Sequence, residues 1–181
     1  MTALTRTTLL MLLTAAPAFA QVPKKPAQDL SVHTTKVPGL EVRFVDYHWQ
    51  PDLIAAMEKG SRDVPAAQRD WVLARVMVEP RPLKFEGVTL PLASYALSLF
   101  PNQDGKGLVL ELRSVDMHAA ILNMNAVGPA PKGETMWRGP AKFEIVSAVV
   151  PRLDIKATEV AGAPVVTVLY GDRRLSLKFA R

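Results

Sequence analysis

Two periodicities divide this chain of 181 residues. From Leu83 onward apolar and polar positions alternate almost without interruption, the pattern of strands that bury one face. Leu83 and Phe85 alternate with Lys84 and Glu86, Tyr95, Leu97 and Leu99 with Ala96 and Ser98, and Leu108, Leu110 and Leu112 with Val109, Glu111 and Arg113. Phe143, Ile145 and Val149 predict another buried face, and Leu153 and Ile155 alternate with Arg152, Asp154 and Lys156. Val166, Val168 and Tyr170 share a face, as do Leu175, Leu177 and Phe179. Gly171-Asp172 between these two runs predicts a two-residue II′ hairpin, with glycine at its first central position. Upstream, Leu40, Val42 and Phe44 face away from Glu41 and Arg43, and the weaker alternation of Leu30, Val32 and Thr34 begins a first edge strand. Trp71 to Val78 is apolar throughout, and Val72, Val76 and Val78 favour a buried strand, which Glu79-Pro80-Arg81-Pro82 ends.

Helical spacing intrudes in three places. Pro51 suits a first helical turn, Leu53, Ile54 and Met57 fall on one side, and Gly60 stops the run, so a short helix is predicted over 51–59. Asp63 would cap a second turn running from Pro65 to Arg69. Met117, Ala120, Ile121 and Met124 recur at i, i+3, i+4 and i+7, followed by a Gly- and Pro-rich loop from Asn125 to Gly133. Turn signals lie at Pro38-Gly39, Gly87, Pro101 to Gly105, Gly139-Pro140 and Ala161 to Pro164. Many short strands with hairpin-length links predict a mainly β domain over 39–181. It is an antiparallel β-sandwich or barrel-like fold with one or two short helical insertions.

The N-terminus follows neither pattern. Arg6 precedes the apolar run Leu9 to Leu13, and Pro17-Ala18-Phe19-Ala20 presents small residues where a signal peptidase reads, with cleavage expected between Ala20 and Gln21. The apolar stretch is about a dozen residues, against roughly 20 needed to span a bilayer. Residues 1–20 therefore read as a signal peptide, and the mature chain as periplasmic or secreted. No later segment is long and apolar enough to cross a membrane as a helix. Residues 21–38 read as a tether, because Pro23, Lys24, Lys25 and Pro26 carry no apolar periodicity.

Composition narrows the chemistry. The chain has no cysteine, which excludes disulfides, thiol catalysis and thiolate metal sites, and leaves stability to apolar burial. The net charge of +5 is scattered over Lys24-Lys25, Arg69, Arg75, Arg173-Arg174 and Lys178. With no basic stripe interleaved with aromatics, nucleic acid is not an expected partner.

The stretch Phe85 to Pro101, with Leu90-Pro91-Leu92-Ala93-Ser94-Tyr95-Ala96-Leu97 at its centre, resembles the bacterial exported family known as domain of unknown function 2911. The C-terminal run Val166 to Leu177 resembles the end of that family, and the likeness covers residues 72–180. Ala93 stands where the family has Gly, Tyr170 where it has Trp, and its Trp-Arg-x-Gly-Ala-Asn stretch is missing after Trp71. The resemblance implies an exported β-rich domain and no particular activity.

Three functional readings follow. The first is a non-catalytic binding or interaction module for an envelope ligand or protein. Its candidate contacts are Tyr47, His48 and Trp49, at a strand end where loops cluster, and Trp137 beside the flexible loop. The second is a periplasmic hydrolase, although no Gly-x-Ser-x-Gly elbow occurs and only His33, His48 and His118 could serve as a base. The third is a copper carrier using soft thioethers, with Met117 adjoining His118 and with Met57, Met77, Met124 and Met136 elsewhere. The methionine stripe equally fits core packing, and no cofactor is expected.

Overall fold

The computed structural model describes residues 29–60, 71–102, 104, 106–116 and 133–181. The predicted signal peptide, the first part of the tether (21–28), the helical turn at 63–69 and the helical stretch at 117–127 lie outside these residues. Among the described residues ten strands and one helix follow in order: β1 (Val32–Val37), β2 (Leu40–Val45), α1 (Pro51–Glu58), β3 (Trp71–Val78), β4 (Leu83–Phe85), β5 (Val88–Leu90), β6 (Ala93–Pro101), β7 (Leu108–Val115), β8 (Thr135–Pro140), β9 (Glu144–Val160) and β10 (Ala163–Ala180). Two antiparallel sheets enclose the core, one of six strands in the order β1-β2-β3-β6-β7-β8 and one of four in the order β5-β4-β10-β9. Neither sheet closes on itself, so of the two predicted architectures the sandwich is the one formed. The tether boundary moves back, because residues 32–37 pair with β2 across the Pro38-Gly39 turn, where Gly39 takes φ +93°.

The alternation read from the sequence is the core. Leu40 and Val42 of β2, Val76 of β3, Tyr95 and Leu97 of β6, and Leu110 and Leu112 of β7 pack against Phe85 of β4, Leu153 and Ile155 of β9, and Val166, Val168 and Phe179 of β10. Helix α1 closes the core with Ile54 and Met57, the side its spacing predicted. Arg173 of β10 holds Glu58 at the end of that helix through two parallel bonds, at 3.1 and 3.2 Å.

Three expectations are corrected. Gly171-Asp172 makes no hairpin, since β10 runs straight through it, and the reversal lies at Ala161-Gly162, whose φ angles of +50° and +79° suit a tight turn. Gly171 keeps a positive φ of +60° as the site of a register shift, and a Cβ there would meet the Trp49 ring at 2.1 Å. The turn signal at Gly139-Pro140 is the end of β8, where the Trp137 ring lies over Gly139, as the 2.5 Å approach of a Cβ there shows. The face of Phe143, Ile145 and Val149 is not buried as a unit. Phe143 touches the core, but Ile145 is 67% exposed and Val149 is also exposed, because β9 swings away from β10 here. Between the pairs Val150–Gly171 and Ile145–Arg173, β9 advances five positions while β10 advances two.

Gly171→Ala should lower unfolding stability by about 2 kcal/mol or more, from the left-handed backbone and the displaced indole together. Denaturant titration checks this, and the loss should shrink when Trp49→Ala is also present. Equal losses in both backgrounds would mean that the ring is not what occupies the space.

Candidate functional site

The predicted aromatic site is a core closure. Tyr47 is buried and meets Trp71 edge-on at 5.8 Å, Trp71 meets Tyr170 at 4.8 Å, and Tyr170 meets the half-buried Trp49 at 4.7 Å. The Tyr170 hydroxyl donates to the His48 carbonyl oxygen at 2.5 Å, and burial pushes its pKa up. His48 therefore contributes its backbone, which also pairs with Arg152 of β9, while its ring stands exposed. Trp137 does not join these residues. It lies half-buried in β8, edge-on to Phe85 at 4.9 Å, in a second aromatic group with Phe179.

A histidine and a carboxylate do meet elsewhere. His33 Nε2 lies 3.4 Å from Asp46 Oδ2, and its ring stacks on Phe44. Asp46 is already held by the Ser31 N–H at 2.6 Å and by Arg152 Nη1 at 2.8 Å, and the same guanidinium nitrogen donates to the Asp29 carbonyl oxygen at 2.6 Å. The group clasps the start of β1, the end of β2 and the middle of β9. Among the described residues no hydroxyl is bonded to His33, so the nucleophile of a triad is not placed there. Burial raises the Asp46 carboxyl, but the bonds from Ser31, Arg152 and His33 outweigh it and hold the pKa below its usual value. Of the sulfurs, Met57 is sealed in the core, and Met117, His118 and Met124 lie outside the described residues. Among the described residues no three His, Asp or Glu side chains converge as a metal site would need.

The site that sequence reasoning missed lies on the outward face of the six-stranded sheet. Strand register aligns Arg43 of β2, Arg75 of β3, Ala96 of β6 and Arg113 of β7 in a single cross-strand row. Glu41 stands opposite Lys36 and Met77 in the row on one side of it, and Glu111 stands opposite Ser98 and Arg138 in the row on the other side. These charges are sunk into the surface. Arg75 is 5% exposed and Glu111 1%. Lys36 and Arg43 both bind Glu41. Arg113 binds Glu111 at 2.7 Å, and Arg138 lies 3.8 Å from it while crossing the Phe100 ring. Arg75 donates through Nε and Nη2 to the Ser94 hydroxyl at 3.2 and 2.8 Å.

Glu41, Arg43, Arg75 and Met77 line a pocket of about 100 Å³. A second, shallow hollow of about 20 Å³ adjoins it and shares Arg43 and Arg75, but its other side chains include Val32, Val45, Val72 and the buried Leu73. The result is a groove across β2 and β3, cationic at one end and apolar at the other. Burial raises the Glu41 carboxyl, but Lys36 and Arg43 more than reverse this, so it stays ionised. Burial, with the neighbouring Arg43 charge, lowers Arg75, and Glu41 opposes that shift. Among the described residues that line the pocket, Glu41 is the one carboxylate, and it is committed to Lys36 and Arg43. Comparison of the chain with protein-family profiles, curated proteins and solved structures returns no match.

A carboxyl held below its unfolded pKa adds stability that is whole above that value and is lost as pH falls through the folded one. For Asp46 the unfolded reference is 3.8, so the thermal midpoint should drop steeply only below that pH. Asp46→Asn should cost about 1–3 kcal/mol at neutral pH and flatten the acid limb of a midpoint-against-pH curve. Parallel curves for the two proteins would show that Asp46 is not the titrating group.

Proposed function

We propose that this chain is an exported, non-catalytic binding module whose binding surface is the groove across β2 and β3. One observation carries the reading. A row of guanidiniums, anchored on buried carboxylates and a buried serine, borders an open pocket on a sheet face that would otherwise be plain solvated surface. Charged groups held this firmly need little reorganisation to meet a ligand. The basic and apolar N-terminal pattern ending at Ala20 and Gln21 supports export, as does the resemblance to the exported family. The engagement of Asp46 by Arg152 and the Ser31 N–H favours binding over hydrolysis, because that pair already serves to join strands. The rings of Tyr47, Trp49 and Trp137 support the fold beneath the groove rather than the contact itself.

Native mass spectrometry of the exported protein, purified without denaturant, tests this reading. The polypeptide should begin at Gln21 and carry a bound small molecule. Val32→Asp, at an exposed position of the apolar hollow, should lose that adduct while keeping the wild-type melting curve. A wild-type protein without adduct, or an adduct equally retained by the variant, would overturn the assignment of the groove.

A further inference from the structure

We infer that the groove takes a single-chain amphiphile with a carboxylate head, the head at Arg43 and Arg75 and the tail over Val45, Val72 and Val32. The inference rests on the binding reading above and names its ligand class. Three features of the groove select this chemistry.

The first is the head site. Arg43 binds Glu41 through Nε, and among the described residues its two terminal nitrogens make no bond. A guanidinium end with two parallel N–H vectors matches a carboxylate bidentately, and the neighbouring Arg75 adds a second positive charge one strand away.

The second is the direction of the tail. Two residues along β2 from Arg43 stands Val45, which pairs with Val32 of β1; on β3 the bulge at Leu73 and the outward Val72 lie on the same side of the Arg75 row. One such step along a strand is about 7 Å. The apolar part thus begins directly beside the cationic part and runs out toward Val32, which is 65% exposed.

The third feature separates an acyl chain from a peptide. Apart from Arg43 and Arg75, the described side chains that line the hollow are all apolar, so the amides of a peptide laid there would meet no side-chain partner. Unpartnered amides are costly to cover, and a hydrocarbon tail carries none. The lining of branched aliphatic side chains suits such a tail.

Isothermal titration of the mature protein with decanoate, decanol, decyltrimethylammonium and acetate, all below their micellar concentrations, tests the assignment. Decanoate should bind more tightly than the other three, and each methylene removed from it should weaken binding roughly fourfold. Arg43→Gln should weaken decanoate at least tenfold, bringing it to the level of decanol, and Arg43→Lys should recover part of the loss. Val32→Asp should weaken decanoate and leave the fold unchanged, and Ile145→Asp, on the exposed part of β9, should have no effect.

Equal binding of decanoate and decanol would overturn the carboxylate head. Tighter binding of a short peptide ending in Val-Val and a free carboxylate would overturn the acyl tail. In either case sensitivity to Val32→Asp would leave the groove as the binding surface. A protein that binds none of these probes and purifies without an adduct would fail both proposals.

Discussion

The path of β10 depends on one residue having no side chain. Gly171 lies where the Trp49 ring presses against the strand, and a Cβ at that point would stand within the indole. Because the ring fits there, Tyr170 can reach the His48 carbonyl oxygen and Trp71 can stack on Tyr170, which fixes the link from β2 to α1 against the middle of the second sheet. The strand pairs with β9 on both sides of Gly171, and beyond it Arg173 also grips α1 and Phe179 reaches β4. An interrupted β10 would leave these contacts on separate hairpins. The strand therefore ties its two neighbours, β4 and β9, to the helix, and the register shift at Gly171 is how it accommodates the ring.

The burial of charge on the outward face follows from the same logic of paired strands. Desolvating an ion is expensive, and the expense is tolerable only where several partners share it. Glu41 and Glu111 each meet an arginine two residues along their own strand and a cation from the neighbouring strand. Small residues at Ser94, Ala96 and Ser98 give the long side chains of Arg75 and Arg113 room to lie down across β6. The charges of this face are thereby held by neighbours on the strands themselves. A groove on such a face is set by strand register rather than by loop conformation.

Much of this architecture was legible in the residues. The alternation from Leu83 onward, the apolar side of α1 and the Pro38-Gly39 turn appear where their physics places them, because each depends on neighbours close in sequence. Gly171-Asp172 misled for an instructive reason. Glycine satisfies a hairpin, a bulge and a close ring approach equally well, and only the position of Trp49, far away in the chain, distinguishes them. The aromatic candidates shared this difficulty, since a ring at a strand end reads the same whether it covers a core or awaits a ligand. The arginine row was invisible for a different cause. Arg43, Arg75 and Arg113 are scattered along the chain, and each looks like the solvated side of its own strand. Their alignment is a property of the pairing of four strands, which no local pattern encodes. The small residues at Ser94, Ala96 and Ser98 were the one local sign that this face had to accommodate something.

The excursion of β9 bears on how this molecule behaves in a crowd. Ile145 to Val150 is a short, uncharged run rich in β-branched residues at the margin of a sheet, the composition that lets like chains add to one another edge to edge. Such addition needs a straight template with its amides at regular intervals. By spending five residues where β10 spends two, β9 bends that template out of register and leaves no continuous ladder to copy. The irregularity interrupts the exposed edge of a β protein that has no disulfide to hold its edges closed.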